Sequence, residues 1–257
     1  MSTAEKIVDM RAVTIRFKST QSTFRHQSFV QAVSHVNLSV FKGETLALVG
    51  ESGSGKTTLV RSILELVKLT EGSIYFQGQA LATMNAAQRH DMRRRVQVVF
   101  QDPFGSLNPR LTVRDIIQEP LIVHRLGNQK LRMERVDLMM KQVGLSPQSS
   151  TRYPHQFSGG QRQRIAIARA LASGPELIIA DEPLSALDVS IQSQILNLLS
   201  DLKIETGMSY LLVSHDLNAV HHLADRIAVM YLGRIVELAD KNLLFNTPRH
   251  PYSAALI

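Results

Sequence analysis

The sequence predicts an α/β fold built on a largely parallel sheet, with a helical insertion. Three observations carry that prediction. Short apolar runs bounded by turn residues alternate with stretches of helical periodicity. One apolar run feeds a glycine-rich loop that opens directly into a helical stretch. Residues 102–159 break the alternation, with helices and turn signals but no strand.

The strand-like runs are residues 7–15, 45–49, 73–76, 96–100, 176–180, 209–213 and 226–230. Most are continuous apolar segments, as strands covered on both faces should be. The helical stretches are residues 56–66, 113–124, 131–143, 160–172, 190–205 and 217–223. The insertion carries Pro103, Asn108-Pro109, Gly127-Asn128 and Ser146-Pro147, all turn signals. This divides a single 1–257 domain into a core (1–101 and 160–240), an inserted helical subdomain (102–159) and a tail (241–257). The stretch 246–252 holds two prolines and reads as irregular. No internal repeat or low-complexity linker is present.

Composition narrows the function classes. The 257 residues suffice to bury a core, and 44% hydrophobic residues is ordinary for a globular protein. The absence of cysteine excludes disulfides, thiolate zinc sites and cysteine-held iron–sulfur clusters. No window of about 18 apolar residues is free of charge, so no membrane-spanning helix is expected. The polar start, Met1 to Lys6, has no apolar run of a secretory signal, which fits a cytoplasmic protein. Lysine and arginine (29) outnumber aspartate and glutamate (22), for a net charge of +7. That excess suits an anionic partner or mere solubility; the single tight run, Arg93-Arg94-Arg95, favours the latter.

Two motifs carry chemistry. Gly50-Glu51-Ser52-Gly53-Ser54-Gly55-Lys56-Thr57 fits G-x-x-x-x-G-K-[ST] between a strand and a helix. The glycines let backbone N–H groups turn around phosphate oxygens, and the helix N-terminus adds positive charge. Lys56 should reach the β- and γ-phosphates, and the Thr57 hydroxyl should bind Mg²⁺, with Thr58 following in the first helical turn. Leu177 to Glu182 is an apolar strand ending in two acids, placed where open parallel sheets bind ligands. Adjacent residues at a strand end point in different directions, so the two acids can divide the work. Asp181 would orient Mg²⁺ and Glu182 would polarise the attacking water.

Together with these, Phe157-Ser158-Gly159-Gly160-Gln161 resembles the signature motif of ATP-binding cassette (ABC) ATPases, usually written with leucine first. The other family elements follow in order. Gln101 resembles the Q-loop glutamine, Ser185-Ala186-Leu187-Asp188 the D-loop, and His215 the switch histidine. Phe17 sits where the family stacks an aromatic ring on adenine, with Phe24 and Phe29 as neighbouring candidates. Singly, Gln101 reads as a polar strand end, His215 as a surface histidine and Phe17 as core. Their joint order decides against those readings. The resemblance covers about residues 7–252.

It implies a RecA-like P-loop NTPase core with an antiparallel β subdomain and an inserted helical subdomain. It also implies two cassettes facing head to tail around two ATP molecules. Ser158, Gly159, Gly160 and Gln161 of one would then meet the γ-phosphate held by Gly50 to Thr58 of the other. Gln101 would serve in metal binding and catalysis, His215 would hold Glu182 and water in line, and Asp188 would link the subunits.

Residues 102–110 follow the Q-loop as Asp-Pro-Phe-Gly-Ser-Leu-Asn-Pro-Arg and resemble a segment of the oligopeptide, dipeptide and nickel importer subfamily. Arg152 to Gln156, Val229 to Glu237 and Pro248 to Tyr252 resemble it too. The resemblance implies a peripheral ATPase on the cytoplasmic face of the inner or plasma membrane. Its partners would be two permease subunits, a second ATPase and, indirectly, an extracytoplasmic solute-binding protein, with no nucleic acid. Many peptide-type members continue past His-Pro-Tyr into a cysteine cluster, which this sequence lacks; a metal-chelate importer is the alternative. A soluble ABC ATPase acting on nucleic acid is a further rival, without the paired cassettes or zinc cysteines usual there.

Overall fold

A computed structural model describes residues 5–18 and 29–257. In chain order, its first elements are β1 (Lys6–Lys18), β2 (Phe29–Phe41), β3 (Thr45–Val49), α1 (Lys56–Ile63), β4 (Glu71–Phe76) and β5 (Gln79–Ala80). There follow α2 (Ala86–Arg95), β6 (Val96–Val99), α3 (Pro103–Ser106), α4 (Val113–Val123), α5 (Gln129–Gln142), α6 (Gly159–Ala172), β7 (Leu177–Asp181) and α7 (Val189–Thr206). The chain ends with β8 (Ser209–Val213), α8 (Leu217–Leu223), β9 (Arg226–Tyr231), β10 (Arg234–Asp240), α9 (Lys241–Asn246) and α10 (Pro251–Leu256). Among the described residues these form two compact units, residues 5–18 and 29–86 with 209–257, and residues 87–208.

The first unit contains an antiparallel sheet of order β2-β1-β4-β5. Strand β2 was not among the expected strands. Polar Asn37 and Ser39 interrupt its apolar run, yet they alternate with buried Val36, Leu38 and Val40, which gives one buried face. The β1–β2 register shifts between Met10 and Val13, and Ala12 lies at φ 49°, the mark of a bulge that bends the strand. Strand β3 is buried throughout and runs parallel to β8 on one side and β9 on the other. Strands β9 and β10 form a hairpin whose turn residues, Leu232 and Gly233, lie at φ 46° and 79°. Positive φ at both central residues is the type I′ geometry that matches strand twist.

Of the stretch 246–252 expected to be irregular, residues 247–250 are, whereas Asn246 ends α9 and Pro251 and Tyr252 begin α10. Asp240 caps α9 by accepting from the Asn242 N–H, and His250 caps α10 by accepting from the Tyr252 N–H. Pro251 stands at the start of α10, where a missing N–H costs nothing.

In the second unit, β6 and β7 pair in parallel, and α3, α4 and α5 pack against the buried helix α6. Arginines close the helix ends. Arg135 donates to the carbonyls of Leu171 and Ala172 at the end of α6, and Arg164 donates to Val143 after α5. Within the basic run, Arg94 pairs with Asp91 at 3.0 Å and Arg95 with Glu176 at 2.7 Å, so this part of the positive charge is spent on structure. Among the described residues, no helix is long and apolar enough to cross a membrane.

Candidate functional site

Within the first unit, β3 delivers the chain into the glycine-rich loop. The loop turns through positive φ at Gly50 (147°), Gly53 (81°) and Gly55 (106°). A Cβ on Gly55 would collide with the Ala32 carbonyl of β2, and one on Gly50 with the Met230 carbonyl of β9. Neighbouring strands therefore restrict both positions to glycine. Gly55 is the N-cap of α1 without a side-chain cap, and Lys56, Thr57 and Thr58 form the first turn. N–H groups at that end of a helix have no intrahelical acceptor and concentrate positive charge. Glu51, Ser52 and Gly53 form the exposed rim, whereas Ser54 and Lys56 are buried. A buried ammonium needs hydrogen bonds. Lys56 Nζ donates to the carbonyls of Gly50 (2.7 Å) and Glu51 (2.8 Å) and lies 3.5 Å from Ser54 Oγ.

Parallel pairing brings the histidine to this loop. Leu48 of β3 stands opposite Val213 of β8, so Gly50 and His215 leave the sheet at the same level, two residues farther on. His215 is exposed there. Phe17 pairs with Val30 near the Lys18–Phe29 end of the β1–β2 pair and is 43% exposed. Val30 lies two residues, about 7 Å, from the Ala32 carbonyl that meets Gly55. Phe29 pairs with Lys18 one position along, so its side chain takes the opposite face. Phe24 lies outside the described residues.

The second unit repeats the arrangement with β6 and β7. Val99 stands opposite Ala180, so Gln101 and Glu182 leave the sheet at one level. Asp181 is buried at the end of β7. Glu182 lies at φ 49°, a left-handed conformation that costs a non-glycine residue about 1–3 kcal/mol. Ser185 Oγ donates to the Glu182 carbonyl at 3.1 Å, and Gln192 Nε2 donates to the carbonyls of Leu184 and Leu187, which pins the following turn. Asp188 is the N-cap of α7; its carboxylate is exposed and does not cap the helix.

Ser158 caps α6 through a reciprocal pair of bonds. Its Oγ accepts from the Gln161 N–H at 3.3 Å, and Gln161 Oε1 accepts from the Ser158 N–H at 3.1 Å. Gly159 follows at the first helical position. A Cβ on Gly160 would collide with Ile191 of α7, so the close approach of these helices demands glycine. Ser158, Gly160, Gln161 and Arg164 border a surface depression of about 530 Å³.

The profile of the ABC transporter family matches residues 33–185, a span that holds both the phosphate loop and the acid pair. The chain belongs to the ABC transporter family. Its core is an α/β P-loop NTPase with an antiparallel β subdomain and an inserted helical part, and it is an ATPase. The cassette is 50% identical over 255 residues to the oligopeptide transport ATP-binding protein AppF of Bacillus subtilis (strain 168), covering 98% of this chain and 78% of AppF. It is 48% identical to the glutathione import ATP-binding protein GsiA of Salmonella choleraesuis (strain SC-B67), but spans only 41% of that protein. Among solved structures, it resembles the dimeric post-hydrolysis ABC cassette MJ0796 bound to ADP and Pi. The TM-score is 0.80 at 32% identity, over 91% of this chain and 98% of that one.

Three groups that buttress the phosphate loop were not among the sequence candidates. They are the Ala32 carbonyl, the Leu232-Gly233 turn, whose Gly233 N–H donates to the Ser54 carbonyl at 2.9 Å, and the Tyr252 hydroxyl, which accepts from the Glu51 N–H at 2.9 Å. Two lie in the segments 229–237 and 248–252, which stand out as motifs but carry no recognisable catalytic residue pattern.

Proposed function

We propose that this chain is the ATP-hydrolysing subunit of an ABC importer for peptides, peripheral on the cytoplasmic face of the membrane. The chemistry rests on the phosphate loop and its buried Lys56. The importer class is supported by likeness to AppF over 98% of the chain and by residues 102–110.

In this reading Lys56 and the loop N–H groups hold the β- and γ-phosphates, and Phe17 stacks on adenine. Glu182 accepts a proton from the attacking water as that water's oxygen bonds to the γ-phosphorus. The bond to the bridging oxygen breaks, and ADP and phosphate result. His215 and Gln101 orient the water. The Thr57 hydroxyl, Asp181 carboxylate and Gln101 amide are hard oxygen donors, the set that suits Mg²⁺. Bound there, Mg²⁺ would neutralise charge on the phosphates. Two cassettes, alike or different, close head to tail. Ser158 and Gly160 of one then serve the γ-phosphate on the other, with Gly159 and Gln161 shaping that helix end and Asp188 linking the pair. Residues 102–159 act as a helical subdomain that receives the permease and so converts closure into transport.

Co-purification from native membranes, with mass spectrometry of everything retained, tests this reading. Two permease subunits, with or without a second ATPase, are expected. Recovery of nucleic acid or ribosomes without a membrane protein would overturn it.

A further inference from the structure

The peptide between Gly50 and Glu51 is held at both edges. Its carbonyl accepts from Lys56 Nζ at 2.7 Å, and its N–H donates to the Tyr252 hydroxyl at 2.9 Å. In a trans peptide these groups point in opposite directions, so the ammonium and the phenol grip one rigid plane from two sides. The grip has a purpose. Gly50 has no Cβ and lies at φ 147°, so its own backbone torsions do little to oppose rotation of this plane. An outside hydrogen bond supplies the missing restraint.

Tyr252 is itself steered by two attachments. Its ring lies against Tyr231 with centroids 4.3 Å apart. Tyr231 ends β9, next to the Leu232-Gly233 turn that bonds the Ser54 carbonyl. The chain leading to Tyr252 is anchored by Glu237, whose two carboxylate oxygens accept from the N–H groups of Arg249 (2.9 Å) and His250 (3.0 Å). The β9–β10 hairpin and the His250-Pro251-Tyr252 segment thus converge on the phosphate loop.

We propose that Tyr252 is a positioning residue for Lys56, acting through the Gly50–Glu51 peptide to set the affinity for the phosphates of ATP. Donation to the phenol polarises the peptide and strengthens its carbonyl as an acceptor for the ammonium. Without the hydroxyl, the Glu51 N–H turns to water, the plane rotates, and the carbonyl no longer presents Lys56 at one height. The proposal rests on the loop binding ATP, and the controls separate the two.

ATP affinity is measured by calorimetry on the full chain for wild type, Tyr252→Phe, Lys56→Ala and the double variant. Phenylalanine keeps the ring against Tyr231 and deletes only the hydroxyl. One hydrogen bond corresponds to about a threefold to tenfold rise in Kd. That rise is expected for Tyr252→Phe at an unchanged melting temperature, and none is expected when the same change is made in Lys56→Ala. Wild-type affinity in Tyr252→Phe overturns the proposal. So does an equal loss in both backgrounds, or a loss accompanied by a lower melting temperature, since each assigns Tyr252 to tail packing. Wild-type affinity in Lys56→Ala would instead overturn the phosphate-loop assignment, and this proposal with it.

Discussion

Glu182 is the residue where chemistry and strain meet. It holds a left-handed φ of 49° directly after the buried Asp181. Replacing the carboxylate by an amide keeps this shape and removes the proposed base. Glu182→Gln should therefore bind ATP as the wild type does and lose turnover by about 10²–10⁴-fold, read by phosphate release from purified protein. Near-normal hydrolysis would remove Glu182 from the role. Such residues were legible in the sequence because each lies in a contiguous motif whose spacing is itself the chemistry. Tyr252 was not, because its partner is 201 positions away and its contact is to a backbone N–H, which any residue could supply. The choice between Phe17 and Phe29 was likewise open, because it depends on which face each takes in the β1–β2 pair.

At the scale of elements, α6 joins the signature to the interior of its unit. Ile167 is fully buried on it. Ile167→Ala removes apolar atoms and leaves a cavity, so it should cost about 2–5 kcal/mol in denaturant unfolding. A cost within error of zero would show that the helix is not packed as described. The tail makes a prediction in pH. Burial pushes the Glu237 carboxyl up, but hydrogen bonding, with the N–H groups of Arg249 and His250 donating to its two oxygens, outweighs it and holds the carboxyl below its ordinary range. The anchoring is therefore complete above the ordinary carboxylate range and is lost as pH falls through the lowered value. Amide exchange at residues 249–256, corrected for intrinsic rates, should accelerate only in acid well below that range. Protection that persists there would exclude Glu237 as the anchor. Elements with uniform runs, such as β3 and β8, were plain in the sequence. Helix α2 was not, since Met92 is its single buried residue and three arginines fill its last turn.

For the whole molecule, the proposed engine is a closed pair. Glu182→Gln is expected to block hydrolysis and trap that pair, so ATP should double the sedimenting mass of this variant, alone or with a co-purifying ATPase. A mass that stays that of one chain under both conditions would overturn head-to-tail closure. The amino-acid sequence by itself determined the fold class and the reaction. The phosphate loop, the signature and the acid pair are local patterns, and backbone chemistry makes each require its own residue types. Only the tertiary structure decided what supports them. The Ala32 carbonyl excludes a side chain at Gly55, the Gly233 turn braces Ser54, and the Tyr252 hydroxyl holds Glu51. Hydrophobic burial, which drives the chain together, is non-directional and names no partner. These contacts exist because parallel pairing of β3 with β9, and the hairpin that follows, carry distant backbone to the edge of the loop.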